Sequence, residues 1–258
     1  MISAGARIAY PATTMTPAQA PLFDLHDPVA ERLLREMNPW WQGLPVPNLQ
    51  PMRRWAYASL LRGMQSALAP VVVLRGPRQV GKSTLQAQVI DELLRQGADP
   101  KRMLRVQFDF LKLHRRDQPI LELVWWFADH IMQAPLAAPG PHPVYLFLDE
   151  VQNLRDWAPQ IKHLVDLLPV RALVTGSSAL RIEAGRDSLA GRIQTLELGP
   201  LLLREIAELR GLGALEPYHP PNGLAPLKDK AFWRGLRQYG QTHQTLRDRA
   251  FEPTDRLT

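Results

Sequence analysis

The chain has no cysteine, which excludes a disulfide framework and any thiolate metal site and leaves the fold with no need of an oxidising compartment. Its 7 His are scattered without paired spacing, so an imidazole-based metal site is not indicated either. No apolar run approaches the roughly 18–20 residues of a membrane span. Residues 1–22 lack the charged-then-apolar pattern of a signal peptide. No membrane partner and a cytoplasmic location are therefore the expectations. Aromatic residues make up 7% of the chain and are not interleaved with its short basic clusters, as a base-stacking surface would require.

What is present bounds the rest. With 258 residues, 45% of them hydrophobic and 22% charged, the chain suffices for one sizeable core, and a second complete domain would be a tight fit. The net charge of +6 and pI near 9.9 raise nucleic acid as a partner, because Lys and Arg release counterions when they neutralise phosphates. The bias is modest. Arg53-Arg54 and His114-Arg115-Arg116 are short clusters that read first as solvated surface, with nucleic-acid contact as the alternative.

Gly76 to Ser83 reads Gly-Pro-Arg-Gln-Val-Gly-Lys-Ser, the G-x-x-x-x-G-K-[ST] template of a phosphate-binding loop. Backbone N–H groups of Gly76, Pro77, Arg78, Gln79, Val80 and Gly81 (proline excepted, having none) would curl around phosphate oxygens, with the positive end of the next helix behind them. Lys82 would reach the β- and γ-phosphates, Ser83 would place its hydroxyl on Mg²⁺, and Thr84 lies in the first turn, where an N–H is still free. The context agrees. Val71 to Leu74 is an unbroken apolar run of a strand buried on both faces. Leu85, Val89, Ile90, Leu93 and Leu94 then recur at helical spacing before Gly97.

A second run, Val144 to Leu148, ends in Asp149-Glu150, as a Walker B segment does. There the first carboxylate holds Mg²⁺ and the second accepts a proton from the water that attacks the γ-phosphate. Asp149 is thus the metal candidate and Glu150 the general-base candidate. An acidic residue after a strand is often only a turn or helix cap, but the pairing with the phosphate loop favours the chemical reading. Further strands are expected at Met103 to Phe108, Arg171 to Val174 and Ile193 to Leu198. The fourth ends in Thr175-Gly176-Ser177-Ser178, whose hydroxyls would either orient water at the carboxyl end of the sheet or cap the next helix.

Around these units, residues 1–22 are rich in Ala, Pro and Thr and read as a flexible tail. Residues 23–69 read as a helical lead-in. It has one helix from Pro28 to Met37, an extended Pro-rich stretch from Trp40 to Pro51 with tryptophan anchors, and a second helix over about Arg53 to Leu68. Ile120 to Met132 reads as a helix in which Trp125 and Trp126 pack. Residues 70–206 read as the nucleotide-binding unit. Residues 207–258 read as a Pro-rich stretch and a polar helical segment, Phe232 to Phe251.

Taken together, the loop at 76–83, Leu-Asp-Glu-Val-Gln at 148–152 with Trp157, Thr-Gly-Ser-Ser-Ala at 175–179, Ser-Leu-Ala-Gly-Arg at 188–192 and Gly199-Pro200-Leu201 with Glu205 resemble the bacterial and archaeal AAA-type ATPases associated with DUF4143 regions. Asn38-Pro39-Trp40-Trp41 is similar to a lead-in in part of that group. The resemblance implies an α/β P-loop NTPase, a three-layer α/β/α sandwich with a mainly parallel sheet. It would be of the additional-strand, catalytic-glutamate type, with a sensor strand between the Walker A and Walker B strands. It implies ATP as the nucleotide, Ser177 as a sensor, and Arg192 as an arginine reaching a γ-phosphate in its own subunit or a neighbour's, the latter requiring a homo-oligomer. The surface alternative for Arg192 is an ion pair with Glu183 or Asp187. Family members usually continue into a substantial C-terminal region, so a truncated or diverged member is expected.

Three function classes follow. The first is a Mg²⁺-dependent ATP hydrolase coupled to an unknown partner. The second is a nucleotide-binding module without turnover, and the third a P-loop kinase. Glu150 beside Asp149 favours hydrolysis over transfer. The absence of a D-x-x-G arrangement after Asp149 and of an Asn-Lys-x-Asp tetrad argues against a GTPase.

Overall fold

The computed structural model describes residues 28–66, 68–110, 117–177, 189–213 and 230–251. Five strands make one sheet: β1 Val71–Arg75, β2 Met103–Gln107, β3 Val144–Asp149, β4 Val170–Gly176 and β5 Ile193–Glu197. Their order is β2-β3-β4-β1-β5, and every neighbouring pair is parallel. Parallel neighbours require crossovers, and the helices that supply them cover both faces. The strand that ends at Thr175 and Gly176 therefore lies between the strand feeding the phosphate loop and the strand ending in Asp149, as the resemblance implied.

Alternation along each strand divides the core. Val71, Val73, Leu104, Val106, Leu146, Leu148, Ala172 and Val174 pack on one face with helices α4 (Pro119–Phe127) and α5 (Trp157–Leu167). Val72, Leu74, Met103, Tyr145, Phe147 and Leu173 pack on the other with α2 (Tyr57–Gln65) and α3 (Lys82–Arg95). The result is the expected three-layer α/β/α sandwich, its strands apolar on both faces because both are covered.

The lead-in closes the exposed edge at β2. Helix α1 (Pro28–Met37) ends at Asn38, which is fully buried. Its amide treats β2 as a neighbouring strand would. Nδ2 donates to the Arg105 carbonyl at 2.8 Å and Oδ1 accepts from the Arg105 N–H at 2.6 Å. Trp40 and Trp41 both donate Nε1–H to the Met103 carbonyl, at 3.1 and 2.8 Å. An unpaired strand edge is thereby satisfied by side chains.

Four local expectations change. The stretch after Asn38 is not extended at its start but forms a 3₁₀ turn, Pro39–Gln42, closed by Gly43, which swings both indoles onto β2. The second helix begins at Tyr57, not Arg53, and the Trp55 N–H before it is taken by the Glu205 carboxylate. The helix read through Met132 gives way at Phe127 to a wider π turn, Ala128–Met132. The C-terminal helical segment is two helices instead of one, called here α7 (Lys230–Thr242) and α8 (Gln244–Phe251), following α6 (Leu203–Leu209). The tail at 1–22 and the His114 to Arg116 cluster lie outside the described residues. Among the described residues no helix is long and apolar enough to cross a membrane.

Candidate active site

The phosphate loop leaves the carboxyl end of β1 and runs into α3. Gly76 is required by close approach, since a Cβ there would lie 2.1 Å from the Leu198 carbonyl oxygen. Gly81, with φ of 90°, occupies left-handed backbone that glycine adopts without strain. Lys82 opens α3 and is buried, its Nζ donating to the Gly76 and Pro77 carbonyls at 2.9 and 2.7 Å. Burial pushes the Lys82 ammonium below its ordinary pKa, Glu150 and Asp149 pull it back up, and Arg78 adds to the depression. The ammonium thus rests on the loop's own carbonyls, within the field of the two acids.

Asp149 ends β3, buried between β2 and β4. Its Oδ2 accepts from Ser83 Oγ at 2.7 Å and from Gln107 Nε2 at 3.3 Å, and its Oδ1 accepts from Thr175 Oγ1. The side-chain order follows the sheet order, with β2 supplying Gln107 and β4 supplying Thr175. A hydroxyl and a carboxylate in contact at a phosphate loop are hard oxygen ligands that suit Mg²⁺, which takes one or two protein groups and completes its shell with phosphate and water. Among the described residues no group of three or more acidic or imidazole side chains could hold a metal unaided.

Glu150 follows with φ of 57°, a left-handed conformation that costs a non-glycine residue on the order of 1–2 kcal/mol. Its Oε2 accepts from Ser177 Oγ at 3.2 Å and from Gln152 Nε2, while Gln152 also donates to Ser177 Oγ at 3.2 Å. The β3 and β4 ends therefore share one polar cluster in which Gln152, Thr175 and Ser177 fix the two acids.

Arg192 is placed differently from the expectation of a contact within its own subunit. Its carbonyl accepts from the Val71 N–H at 3.0 Å, at the amino edge of the sheet. The phosphate loop leaves the carboxyl edge, about 16 Å of strand away. The side chain pairs with Asp166 on α5 and donates to the Ala190 carbonyl. The parallel course of β5 beside β1 leaves no route to a phosphate in the same chain.

The Arg53-Arg54 cluster, expected first as solvated surface with nucleic-acid contact as the alternative, is solvated only at Arg53. Arg53 pairs with Glu92 at 3.1 Å and lies over the Tyr57 ring. Arg54 is 6% exposed and forms a two-pronged ion pair with Glu205, Nε to Oε1 at 3.1 Å and Nη2 to Oε2 at 2.8 Å. Burial works to raise the Glu205 carboxyl, but hydrogen bonds from Arg54 and from the Leu202 and Trp55 amides hold it below its ordinary value. Beside this pair is a cavity of about 400 Å³, bounded by the phosphate loop, Met52, Leu85, Gln88, Pro200, Leu201 and Leu209 among others.

A family model described as "AAA domain" matches residues 69–207. An uncharacterized protein of Mycobacterium tuberculosis is 31% identical over 191 residues, 70% of this chain and 37% of that protein, and its Mycobacterium bovis counterpart matches equally. An uncharacterized protein of Methanocaldococcus jannaschii is 31% identical over 135 residues, 52% of this chain and 27% of that protein. The chain thus spans little more than a third of the length of its mycobacterial relatives. Among solved structures, the Saccharomyces cerevisiae Hsp104–ADP complex is similar with a TM-score of 0.47 at 17% identity, over 64% of this chain and 24% of that one. The Walker-type ATPase of Pyrococcus abyssi is similar with a TM-score of 0.41 at 14% identity, over 78% and 77%.

Proposed function

The chain belongs to the AAA domain family, and on that premise we propose that it binds ATP with Mg²⁺ and hydrolyses it to ADP and phosphate, coupling the cycle to an unknown partner. The observation that carries this reading is the meeting of Ser83 Oγ and Asp149 Oδ2 at 2.7 Å, with Lys82 and Glu150 on either side. Ser83 and Asp149 would hold Mg²⁺, which when bound supplies charge neutralisation for the β- and γ-phosphates.

The chain's own residues do the rest. Loop N–H groups from Gly76 to Gly81, with Thr84 in the first helical turn, grip the phosphates. Lys82 leaves the Gly76 and Pro77 carbonyls for phosphate oxygens, exchanging neutral acceptors for anionic ones. Glu150 takes the proton of the attacking water, and Ser177 and Gln152 hold its carboxylate in place until then. The cavity beside the loop is large enough for a nucleoside, with Met52, Leu85 and Leu201 as apolar walls for the base. Arg192, 38% exposed with its partner Asp166 at 30%, would serve a γ-phosphate only in a neighbouring copy, so its role is tied to a homo-oligomer. The kinship with DUF4143-associated ATPases, and the 70–206 boundaries of the ATPase unit, belong to the same proposal.

Binding without turnover has one observation in its favour, the engagement of Glu150 by Gln152 and Ser177. Calorimetric titration with ATP and GTP, with and without Mg²⁺, tests the reading. ATP binding strengthened by Mg²⁺ and exceeding GTP binding supports it, and no binding of either nucleotide refutes it.

A further inference from the structure

Arg54 and Glu205 are 6% and 3% exposed, and both are fully used. Besides the two bonds to Glu205, Arg54 Nη1 donates to the carbonyls of Val80 at 2.6 Å and Gly199 at 3.0 Å, and Nη2 donates to that of Pro200 at 2.9 Å. All five guanidinium N–H donors are therefore taken. Glu205 in turn accepts from the backbone N–H groups of Trp55 at 3.0 Å and Leu202 at 2.7 Å. Three stretches far apart in sequence, at 54–55, 80 and 199–205, converge on one buried ion pair. Such a pair is expensive to desolvate and an apolar substitute is often as stable, so stability alone is a poor reason for it.

The contact with Val80 supplies another reason. Val80 lies inside the phosphate loop, between Gln79 at φ of 63° and Gly81 at φ of 90°. In a trans peptide the C=O and the following N–H point in opposite directions. Holding the Val80 carbonyl on the outside of the loop therefore turns the Gly81 N–H toward its inside, where phosphate would sit. Glu205 is in the first turn of α6, and just past the end of that helix Arg210 Nη1 donates to the Arg249 carbonyl in α8 at 3.2 Å.

Resting on the ATP reading above, we propose that Arg54 is a positioning residue that aims the Gly81 N–H at the nucleotide's phosphates, with Glu205 as its anchor. Phosphate binding and the placement of α6 are thereby linked. A shift of the loop on binding pulls through Arg54 on the 199–205 segment, and by linkage a displaced α6 lowers affinity for phosphate by the same factor.

The test compares ATP with adenosine, which lacks phosphate, on the full chain and on Arg54→Lys and Glu205→Gln. Loss of one well-aimed N–H to a charged acceptor is worth about tenfold or more, so Arg54→Lys should bind ATP at least ~10-fold more weakly, with a clearly smaller loss for adenosine, whose cavity Arg54 also lines. Glu205→Gln, which keeps an acceptor for the two amides, should show the same selectivity with a loss of roughly threefold. Hydrogen exchange supplies the second readout. ATP should slow exchange over residues 200–210 in the parent and leave it unchanged in Arg54→Lys. Equal ATP affinity in a folded Arg54→Lys or Glu205→Gln protein, or a parallel loss for ATP and adenosine, overturns the proposal while leaving ATP binding intact. Absence of ATP binding by the parent overturns the nucleotide reading and this proposal with it.

Discussion

Lys82→Ala separates the chemistry of the loop from the stability of the fold. In the free protein Nζ is held by the Gly76 and Pro77 carbonyls, and its pKa lies below the ordinary lysine value, burial being the largest cause. A lowered pKa means that the fold disfavours the charge relative to the unfolded chain, so removing it should leave the melting temperature within a few degrees of the parent. Linkage gives the same sign. This lysine's unfavourable contribution is fully present at neutral pH and is relieved as pH rises through the window below 10.5, where the unfolded chain binds more protons.

Nucleotide binding should respond very differently. Two charge-assisted bonds to phosphate oxygens are lost, at about 1.5–3 kcal/mol each, less the two carbonyl bonds that binding would have broken, leaving a net loss of about 2–4 kcal/mol. At about 1.4 kcal/mol per tenfold, that is a ~30- to ~700-fold weaker Kd for ATP, with roughly half the free energy lost for ADP, which offers only its β-phosphate. Displacement of a fluorescent ATP analogue reads the affinity, and thermal unfolding checks the fold. A Lys82→Ala variant that melts normally and binds ATP within about threefold of the parent would refute the reasoning.

Two further perturbations address the frame. Asn38→Ala strips both backbone groups of Arg105 of their partner at the β2 edge and should cost about 3 kcal/mol, a fall of roughly 6–12 °C in Tm for a domain of this size; an unchanged Tm would show that the edge is closed by the tryptophans alone. Gly76→Ala drives a methyl onto the Leu198 carbonyl, so the loop or β5 must yield at about 1–3 kcal/mol. Both Tm and ATP affinity should drop, and retention of parental ATP affinity would contradict the loop geometry described.

What is legible in the sequence is whatever chemistry runs along the chain. The strand before Gly76, the loop, and the helix after it are contiguous, and so is the β3 run ending in Asp149 and Glu150. Apolar runs and spacing therefore locate all five strands to within a residue or two. What escapes is pairing across the chain. Arg54 reads as half of a surface cluster until Glu205, 151 positions away, removes it from solvent. Gln107 and Thr175 meet Asp149 only because β2 and β4 flank β3, and nothing local to Gln107 signals this, whereas Gln152 reaches Glu150 from two residues along the same turn. Arg192 directly precedes the strand expected from Ile193, and what the sequence leaves open is that β5 runs parallel beside β1, which puts that start at the edge away from the phosphate loop. Asn38 carries a helix-ending signal, but its role at the β2 edge depends on Arg105, 67 positions on.

If Glu150 works on water at a phosphate-loop site built by Lys82, Ser83 and Asp149, single-turnover phosphate release from ATP and Mg²⁺ depends on its carboxylate. Glu150→Gln should bind ATP within about threefold of the parent while releasing phosphate ~10²- to ~10⁴-fold more slowly, the usual contribution of a positioned general base. Phosphate release by Glu150→Gln as fast as that of an active parent would contradict it.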